Sequence, residues 1–235
     1  MRLDRYVSQG LGVPRKHALT MCKSFQVKVN GVVQRDAGAQ IVLGRDVVHY
    51  RDELVREPGH RLLMLHKPAG VVTSTEPGPA PIVMDLLPKE LQHRELAPVG
   101  RLDKDTTGLL LLTTDGGLAH ALLHPRRHVE KAYLVWLDAD LPADAEVRIG
   151  AGLALDDNTV CQPATLERLG PKQVRLVLRE GRFHQVKRMM AVLGRVVLRL
   201  HRERIGGLML PADLAEGQAR LLTVDEVALL GVVSG

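Results

Sequence analysis

The densest run of potentially reactive side chains is Gly100-Arg101-Leu102-Asp103-Lys104-Asp105-Thr106-Thr107-Gly108, which leads directly into the apolar stretch Leu109–Leu112. A loop feeding a buried strand suits a fixed reactive group, because the strand sets its position while the loop stays accessible. Asp, Thr and Gly are also ordinary turn formers whose side chains bond nearby backbone. Asp103 and Asp105 could act as an acid/base pair of the glycoside-hydrolysing type, but carboxylates two apart in a loop have no assured geometry. His120, His124 and His128 stand at intervals of four, which on one unbroken helix would form a metal-binding stripe. Pro125 interrupts it, and neither H-E-x-x-H nor cysteine ligands nor clustered carboxylates accompany it, so no metal is expected. With Arg126, Arg127 and Lys131 these histidines read instead as a basic surface element. Walker and Gly-x-Gly-x-x-Gly patterns are absent, as are a serine elbow and a plausible cysteine nucleophile, so no nucleotide cofactor is implied.

These groups must be positioned by two differently built segments that meet near Arg56-Glu57-Pro58-Gly59-His60. In the first, Leu3, Tyr6 and Val7 have helical spacing, Gly10 to Gly12 ends that pattern, and Pro14 opens a second helix running towards Lys23. Val27-Lys28-Val29, Asn30-Gly31 and Val32-Val33 read as a hairpin across a two-residue turn. From Arg61 on, strands are expected at 62–65, 71–73, 109–114, 132–137, 174–178 and 196–200, with a few helices between them. That pattern is α+β and not a regular βαβ array. The most readable helix spans Phe183–Leu193 and stops at Gly194. On it Val186, Met189, Met190 and Leu193 form an apolar stripe, with His184, Lys187 and Arg188 on the other side. The methionines read as core filler. Thr223, Asp225 and Glu226 announce a capped last helix through Leu230.

Composition bounds the function classes. The 235 residues are 45% hydrophobic and 25% charged, enough apolar material for a core and unlike a disordered chain. The longest apolar runs fall far short of the roughly 18 residues needed to span a bilayer, and Met1-Arg2-Leu3-Asp4 opens no signal peptide, so a soluble cytosolic protein is expected. Cys22 and Cys161 form no C-x-x-C pair, so neither a disulfide framework nor a cysteine zinc site is suggested. The net charge of +5 is unevenly spread. Residues 1–30 carry Arg2, Arg5, Arg15, Lys16, Lys23 and Lys28 against Asp4 alone, and residues 179–204 carry eight Lys/Arg against Glu180 and Glu203. Two basic patches on an otherwise acidic chain point to a polyanionic partner touching both modules.

Five spaced motifs carry a family resemblance: Lys67-Pro68-Ala69-Gly70; Gly100-Arg101-Leu102-Asp103 with Asp105-Thr106-Thr107-Gly108-Leu109; Lys131-Ala132-Tyr133-Leu134-Val135; Glu180-Gly181-Arg182-Phe183-His184-Gln185-Val186-Lys187-Arg188-Met189; and His201-Arg202-Glu203-Arg204-Ile205-Gly206-Gly207. In that order they resemble the catalytic domain of small-subunit ribosomal RNA pseudouridine synthases over residues 60–233. Residues 1–57 resemble an S4 RNA-binding domain. His66 stands where an Asn often precedes Lys-Pro, and Pro14 and Ser24 replace the Ser and Gly frequent in S4 domains.

The resemblance implies a small helix-hairpin module before a mixed, mainly antiparallel sheet. It further implies an enzyme that detaches uracil from C1′ of its ribose, rotates it and rejoins it through C5, without metal or organic cofactor. By the same resemblance Asp103 acts as nucleophile or as base towards the ribose. Lys187 is its cationic partner, and Tyr133 packs on the uracil and assists proton transfer at C5. Arg101 fills the gap left by a flipped nucleotide. Arg2, Arg15, Lys16, Lys23, Arg182, His184 and Arg188 are the expected RNA contacts. The six aromatics, Tyr6, Phe25, Tyr50, Tyr133, Trp136 and Phe183, are too few for a multi-base stacking platform, so phosphate contacts and RNA shape should dominate. The partner implied is small-subunit ribosomal RNA or an assembling small-subunit particle. A monomer is the default because nothing resembles an oligomer seam, and no membrane is involved. The alternatives are a large-subunit RNA synthase and a non-catalytic RNA-binding assembly factor.

Overall fold

The structure, a computed structural model, describes residues 1–43, 45–55, 58–124 and 127–231. Arg56, Glu57, Pro125 and Arg126, on which parts of the boundary and of the histidine patch were placed, lie outside the described residues. The chain divides into two compact units, Met1–His60 and Arg61–Gly235.

In the smaller unit, α1 (Leu3–Leu11) ends where Gly12 adopts φ +68° and donates its N–H to Ser8 O, and α2 (Arg15–Lys23) follows Pro14 directly. Leu3, Tyr6 and Val7 are buried against Ala18 and Cys22 of α2 and against Val27. The β1 (Val27–Val29) and β2 (Val32–Val33) strands pair across Asn30 at φ 51° and Gly31 at φ 81°. Two consecutive positive φ angles are what a two-residue hairpin turn demands, and Asn-Gly meets that demand at least cost. A second hairpin, β3 (Val48–Tyr50) and β4 (Glu53–Leu54), completes a four-stranded sheet in the order β2-β1-β3-β4.

The larger unit is built on a nine-stranded sheet. Its strands are β5 (Leu62–Lys67), β6 (Ala97–Pro98), β7 (Thr107–Thr113), β8 (Lys131–Leu137), β9 (Thr165–Gly170), β10 (Gln173–Leu178), β11 (Val197–Ile205), β12 (Leu208–Met209) and β13 (Ala219–Leu221). The order is β13-β5-β7-β11-β8-β10-β9, with β12 on β11 and β6 on β7. The β7/β11 pair is parallel and the other pairs are antiparallel, so the α+β, mainly antiparallel expectation is borne out. Period-two alternation sorts the central strands between two cores. Leu63, Leu65, Leu110, Leu112, Tyr133 and Val135 face one core, closed by α4 (Ala145–Ala151) and α5 (Gln185–Val192). Leu62, Met64, Leu109 and Leu111 face the other, with Leu118 and Leu122 of α3 (Gly116–Leu123), Leu214 and Leu230. Leu109 to Leu112 have no exposed surface, and each contributes roughly 1.5–3 kcal/mol on burial. Met189 and Met190 are wholly buried in the first core, beside Val186 and Leu193. The last helix, α6 (Val224–Ala228), carries the Thr223/Glu226 capping box.

Three local expectations are corrected, and one strand is new. Residues 71–73 form no strand but one parallel bridge, Val72 with Ile82, because Val72 alone pairs its backbone there, its N–H with Pro81 O and its carbonyl with Val83 N. The strand expected at 196–200 runs on to Ile205, since β7 and β8 flank it on both sides. The polar strand β9 was not anticipated. Its exposed edge position leaves only Leu166 buried, so its side chains carry no strand signal. Finally, α5 starts at Gln185 and not at Phe183, because His184 sits at φ 49° in the left-handed region.

Candidate active site

The loop between Gly100 and Thr107 is anchored from beneath by residues 67–73. Lys67 has no exposed surface, and its Nζ donates to Pro68 O (3.0 Å), Lys104 O (3.3 Å) and Thr106 O (2.9 Å). Three ammonium protons thus meet three loop carbonyls. Burial lowers Lys67 to about 8, against the upward pull of Asp105 and Asp103. Gly70 N donates to Lys104 O (2.7 Å), and Thr73 Oγ1 both donates to Leu102 O and accepts from Leu102 N. Thr106 N closes the turn on Asp103 O (3.1 Å). The Lys-Pro-Ala-Gly run therefore acts as the mould of the Asp103 loop.

Asp103 projects, partly exposed, into a cavity of about 430 Å³ that Arg101, Lys131, Tyr133, Glu180, His184 and Arg202 help to line. Lys187 Nζ lies 3.5 Å from Asp103 Oδ2 and closer still to Asp105, at 2.6 and 2.8 Å from its two oxygens. The ammonium thus bridges both carboxylates. Its hydrogen bond holds the Asp105 carboxyl below the usual range despite partial burial. His184 Nε2 is 3.4 Å from Asp103 Oδ1. Sequence reasoning assigned His184 to RNA, whereas the structure places it beside the carboxylate, stacked on the exposed Phe183 ring at 3.8 Å. Tyr133 is nearly buried in the cavity wall on β8. Arg101 is exposed at the cavity.

The turn that presents His184 and Lys187 is organised by Glu180, whose side chain is 8% exposed. Its Oε1 accepts from Gln162 N (2.9 Å) and Gln185 Nε2 (2.7 Å), and its Oε2 from Arg182 Nε (3.0 Å). Gln185 Oε1 in turn accepts from Arg182 N. Glu180, Gln185, Lys67, Thr73 and Arg202 were not singled out from their types. The only signal for Lys67, Glu180, Gln185 and Arg202 was their place inside the shared motifs, and Thr73 stood only at the end of an expected strand, since burial and partners are invisible in a linear reading.

The expected RNA contacts fall into two groups. Lys16 and Lys23 are exposed on α2 and make no ion pair among the described residues. Arg2 and Arg15, by contrast, both bind Asp4, whose side chain is 2% exposed. Arg182 is engaged by Glu180, and Arg188 by Asp156 (2.5 Å) and Asp157 (2.7 Å). Arg179 and Arg204 share Glu130, and Arg199 lies over the Trp136 ring at 4.7 Å. The basic surplus of residues 179–204 is therefore largely spent on partners brought from elsewhere in the fold. Lys131 is no surface cation either: it lines the cavity, donates to Val129 O, and burial followed by Arg202 lowers it to about 8. His120 and His124 meet edge to face at 5.2 Å, and no group of three possible metal ligands occurs among the described residues. No helix among those residues is long and apolar enough to cross a membrane.

A family profile described as RNA pseudouridylate synthase matches residues 61–192, and one described as S4 domain matches residues 1–47. The chain is 43% identical over 229 residues to ribosomal small subunit pseudouridine synthase A of Escherichia coli strain K12, covering 97% of this chain and 99% of that protein. It is 42% identical to the protein of the same name from Vibrio cholerae, covering 97% and 98%. A solved structure titled as a crystal structure of pseudouridylate synthase superposes with a TM-score of 0.70 at 37% identity, over 98% of this chain and 99% of that one.

Proposed function

The chain belongs to the RNA pseudouridylate synthase family, and from that footing we propose that it converts one uridine of small-subunit ribosomal RNA to pseudouridine, with Asp103 as the reacting carboxylate. The observation that carries the assignment is the Asp103 carboxylate at a cavity walled by Tyr133, with Lys187 within 3.5 Å. The reaction removes the ring from C1′ and returns it through C5, so the carboxylate must be ionised, accessible and fixed relative to the ribose. Lys187 favours the ionised form by Coulomb attraction in a partly desolvated site. The Lys67 and Thr73 bonds hold the loop so that little of the alignment has to be gained during reaction. The nearly buried Tyr133 ring offers its face to the uracil, and its hydroxyl is the group assigned to proton transfer at C5.

A stacked uridine cannot reach such a cavity, so the nucleotide must leave the stack at a cost of a few kcal/mol. Arg101 at the cavity is suited to the vacated position, because a planar guanidinium both stacks and pairs with phosphate. We assign residues 1–57 to an S4-like RNA-binding module and 60–233 to the catalytic domain. Lys16 and Lys23 supply phosphate contacts from the first. The reacting groups all come from the larger unit of a single chain, which supports action as a monomer. We place the protein in the cytoplasm with its RNA.

The test is tritium release from RNA labelled at C5 of uridine, on small-subunit and large-subunit transcripts, with wild type and Asp103→Asn side by side. Release from the small-subunit transcript by wild type alone is the expected result, with the variant binding RNA within a few-fold. Release only from the large-subunit transcript moves the substrate to that RNA. Turnover retained by Asp103→Asn removes Asp103 from the mechanism, and tight binding without release from naked RNA is followed by the same assay on assembling particles.

A further inference from the structure

The cavity at Asp103 is also lined by an arginine that the assignments above leave without a task. Arg202 is 3% exposed, and among the described residues its guanidinium makes one hydrogen bond, from Nε to Leu109 O (2.7 Å). Among the same residues its Nη2 is buried without a partner, and no carboxylate pairs with it. An unpaired buried guanidinium is among the costliest groups a protein can hold, so it calls for an explanation in the functional state. The neighbourhood increases the cost. Lys67 and Lys131 are close enough for the charge on Arg202 to depress both. Of the other cations around the cavity, Lys67 has three carbonyls, Lys131 has Val129 O, Lys187 has two carboxylates and Arg182 has Glu180, while Arg101 and Lys104 are exposed to solvent.

Position supplies the ligand. Arg202 on β11 lies directly opposite Tyr133 on β8, and cross-strand partners project from the same face of a sheet. Both line the cavity. Thr106, 1% exposed and also lining the cavity, has the other unpartnered buried atom there, Oγ1. A flat ring packed on Tyr133 and carrying both carbonyl acceptors and an N–H donor would complete the two orphaned groups together.

We infer that Arg202 is a catalytic residue that donates a hydrogen bond to a carbonyl oxygen of the detached uracil ring and stabilises that ring as an anion. The inference rests on the reading of this site as one that isomerises uridine. When the N1–C1′ bond breaks, its electron pair leaves with the ring and spreads from N1 onto O2 and O4, whether Asp103 serves as nucleophile or as base. The ring then turns and C5 bonds to C1′. The C5 proton is lost and N1 gains one, so atoms and charge balance without an added reagent. A preorganised donor facing charge that develops only during bond breaking lowers the barrier without tightening ground-state binding.

The test compares wild type with Arg202→Met and Arg202→Lys in single-turnover tritium release, RNA binding and thermal melting. Arg202→Met is expected to react at least 30-fold more slowly, with the RNA Kd within three-fold and the melting temperature unchanged or raised, because an unpaired buried charge has been removed. If Arg202→Met does not fold, folded Arg202→Lys decides, since a lysine lacks the planar fork that keeps Nε on Leu109 O while leaving Nη2 free for the ring, and the same slow reaction is expected. A second readout uses transcripts made with 5-fluorouridine, in which fluorine stabilises the ring anion. There the deficit of the variant, read as loss of the target nucleoside by chromatography, should shrink at least three-fold. A folded variant reacting within three-fold of wild type, or a deficit equal on both RNAs, overturns the inference. Lack of release by wild type on any RNA or particle overturns the functional reading instead.

Discussion

Gly108 is the place where the geometry makes its sharpest demand on side-chain size. It stands in β7 at φ +111°, paired in parallel with Arg202 of β11, and a Cβ added there would lie 2.3 Å from Arg202 O and 2.6 Å from Arg202 N. Ordinary contacts start near 3.5 Å, so Gly108→Ala requires the two backbones to part by roughly 1 Å. The positive φ costs an alanine about 1–3 kcal/mol. Parting the strands weakens about two hydrogen bonds at about 1 kcal/mol each, with the Arg202 to Leu109 bond and the Thr107 to His201 contact at 2.8 Å lying closest. The total is about 3–5 kcal/mol, which in a unit of this size lowers the melting temperature by roughly 6–20 °C. Gly70→Ala provides the control: it also has a positive φ, +87°, but its Cβ would meet nothing within 4 Å, so only the conformational cost of about 1–3 kcal/mol remains. Scanning calorimetry of the full chain reads both variants, and single-turnover tritium release reports whether Arg202 has moved. A Gly108→Ala transition within about 3 °C of the Gly70→Ala transition would refute the steric argument.

Lys187→Met removes the ammonium that bridges Asp103 and Asp105. At partial exposure the loss is about 1–3 kcal/mol, a roughly 5- to 150-fold slower chemical step with little change in RNA affinity, and carbon-13 NMR should find the Asp105 carboxyl titrating closer to the ordinary range. An unchanged rate would show that the bridge does not act on the reaction. Lys131 tests the energetic cost of the buried cations through pH. Its pKa is about 8 in the folded chain against 10.5 when free, so protonation favours the unfolded chain and stability rises as pH climbs from about 8 to 10.5. Between pH 7 and 10 this recovers about 2 kcal/mol in wild type and nothing in Lys131→Met. Urea unfolding of both proteins at the two pH values should show the stability of the variant, measured relative to wild type, falling by that amount, and a constant difference would contradict the burial argument.

Residues 67–73 and 180–185 show why a motif can be recognised before it is understood. In each case one buried charged side chain satisfies several loop groups: Lys67 serves three carbonyls, and Glu180 serves Gln162 N, Gln185 and Arg182. Neither loop could hold its shape on turn propensity alone. The left-handed His184 illustrates the same point, since a non-glycine residue there needs surrounding bonds to hold it.

Much was determined by the amino-acid order alone. The Asn30-Gly31 hairpin, the end of α1 at Gly12, the apolar stripe of α5 and the Thr223 cap depend on dihedral preferences and periodicities that act within a few residues. The family motifs were likewise legible, and with them the Asp103 loop and Tyr133. The β3/β4 hairpin escaped notice because its turn, Arg51 and Asp52 at positive φ, contains no glycine. Charge was the least reliable guide: counting Lys and Arg along residues 179–204 assigns no partners, and the fold brings Asp156, Asp157 and Glu130 to neutralise them. Only strand order could place Arg202 against Leu109, 93 residues away, and bury both it and Lys67 around one cavity. Partnership and burial are properties of distant segments meeting, and the free energy that enforces them is spread over the whole core, so no local window of sequence contains them.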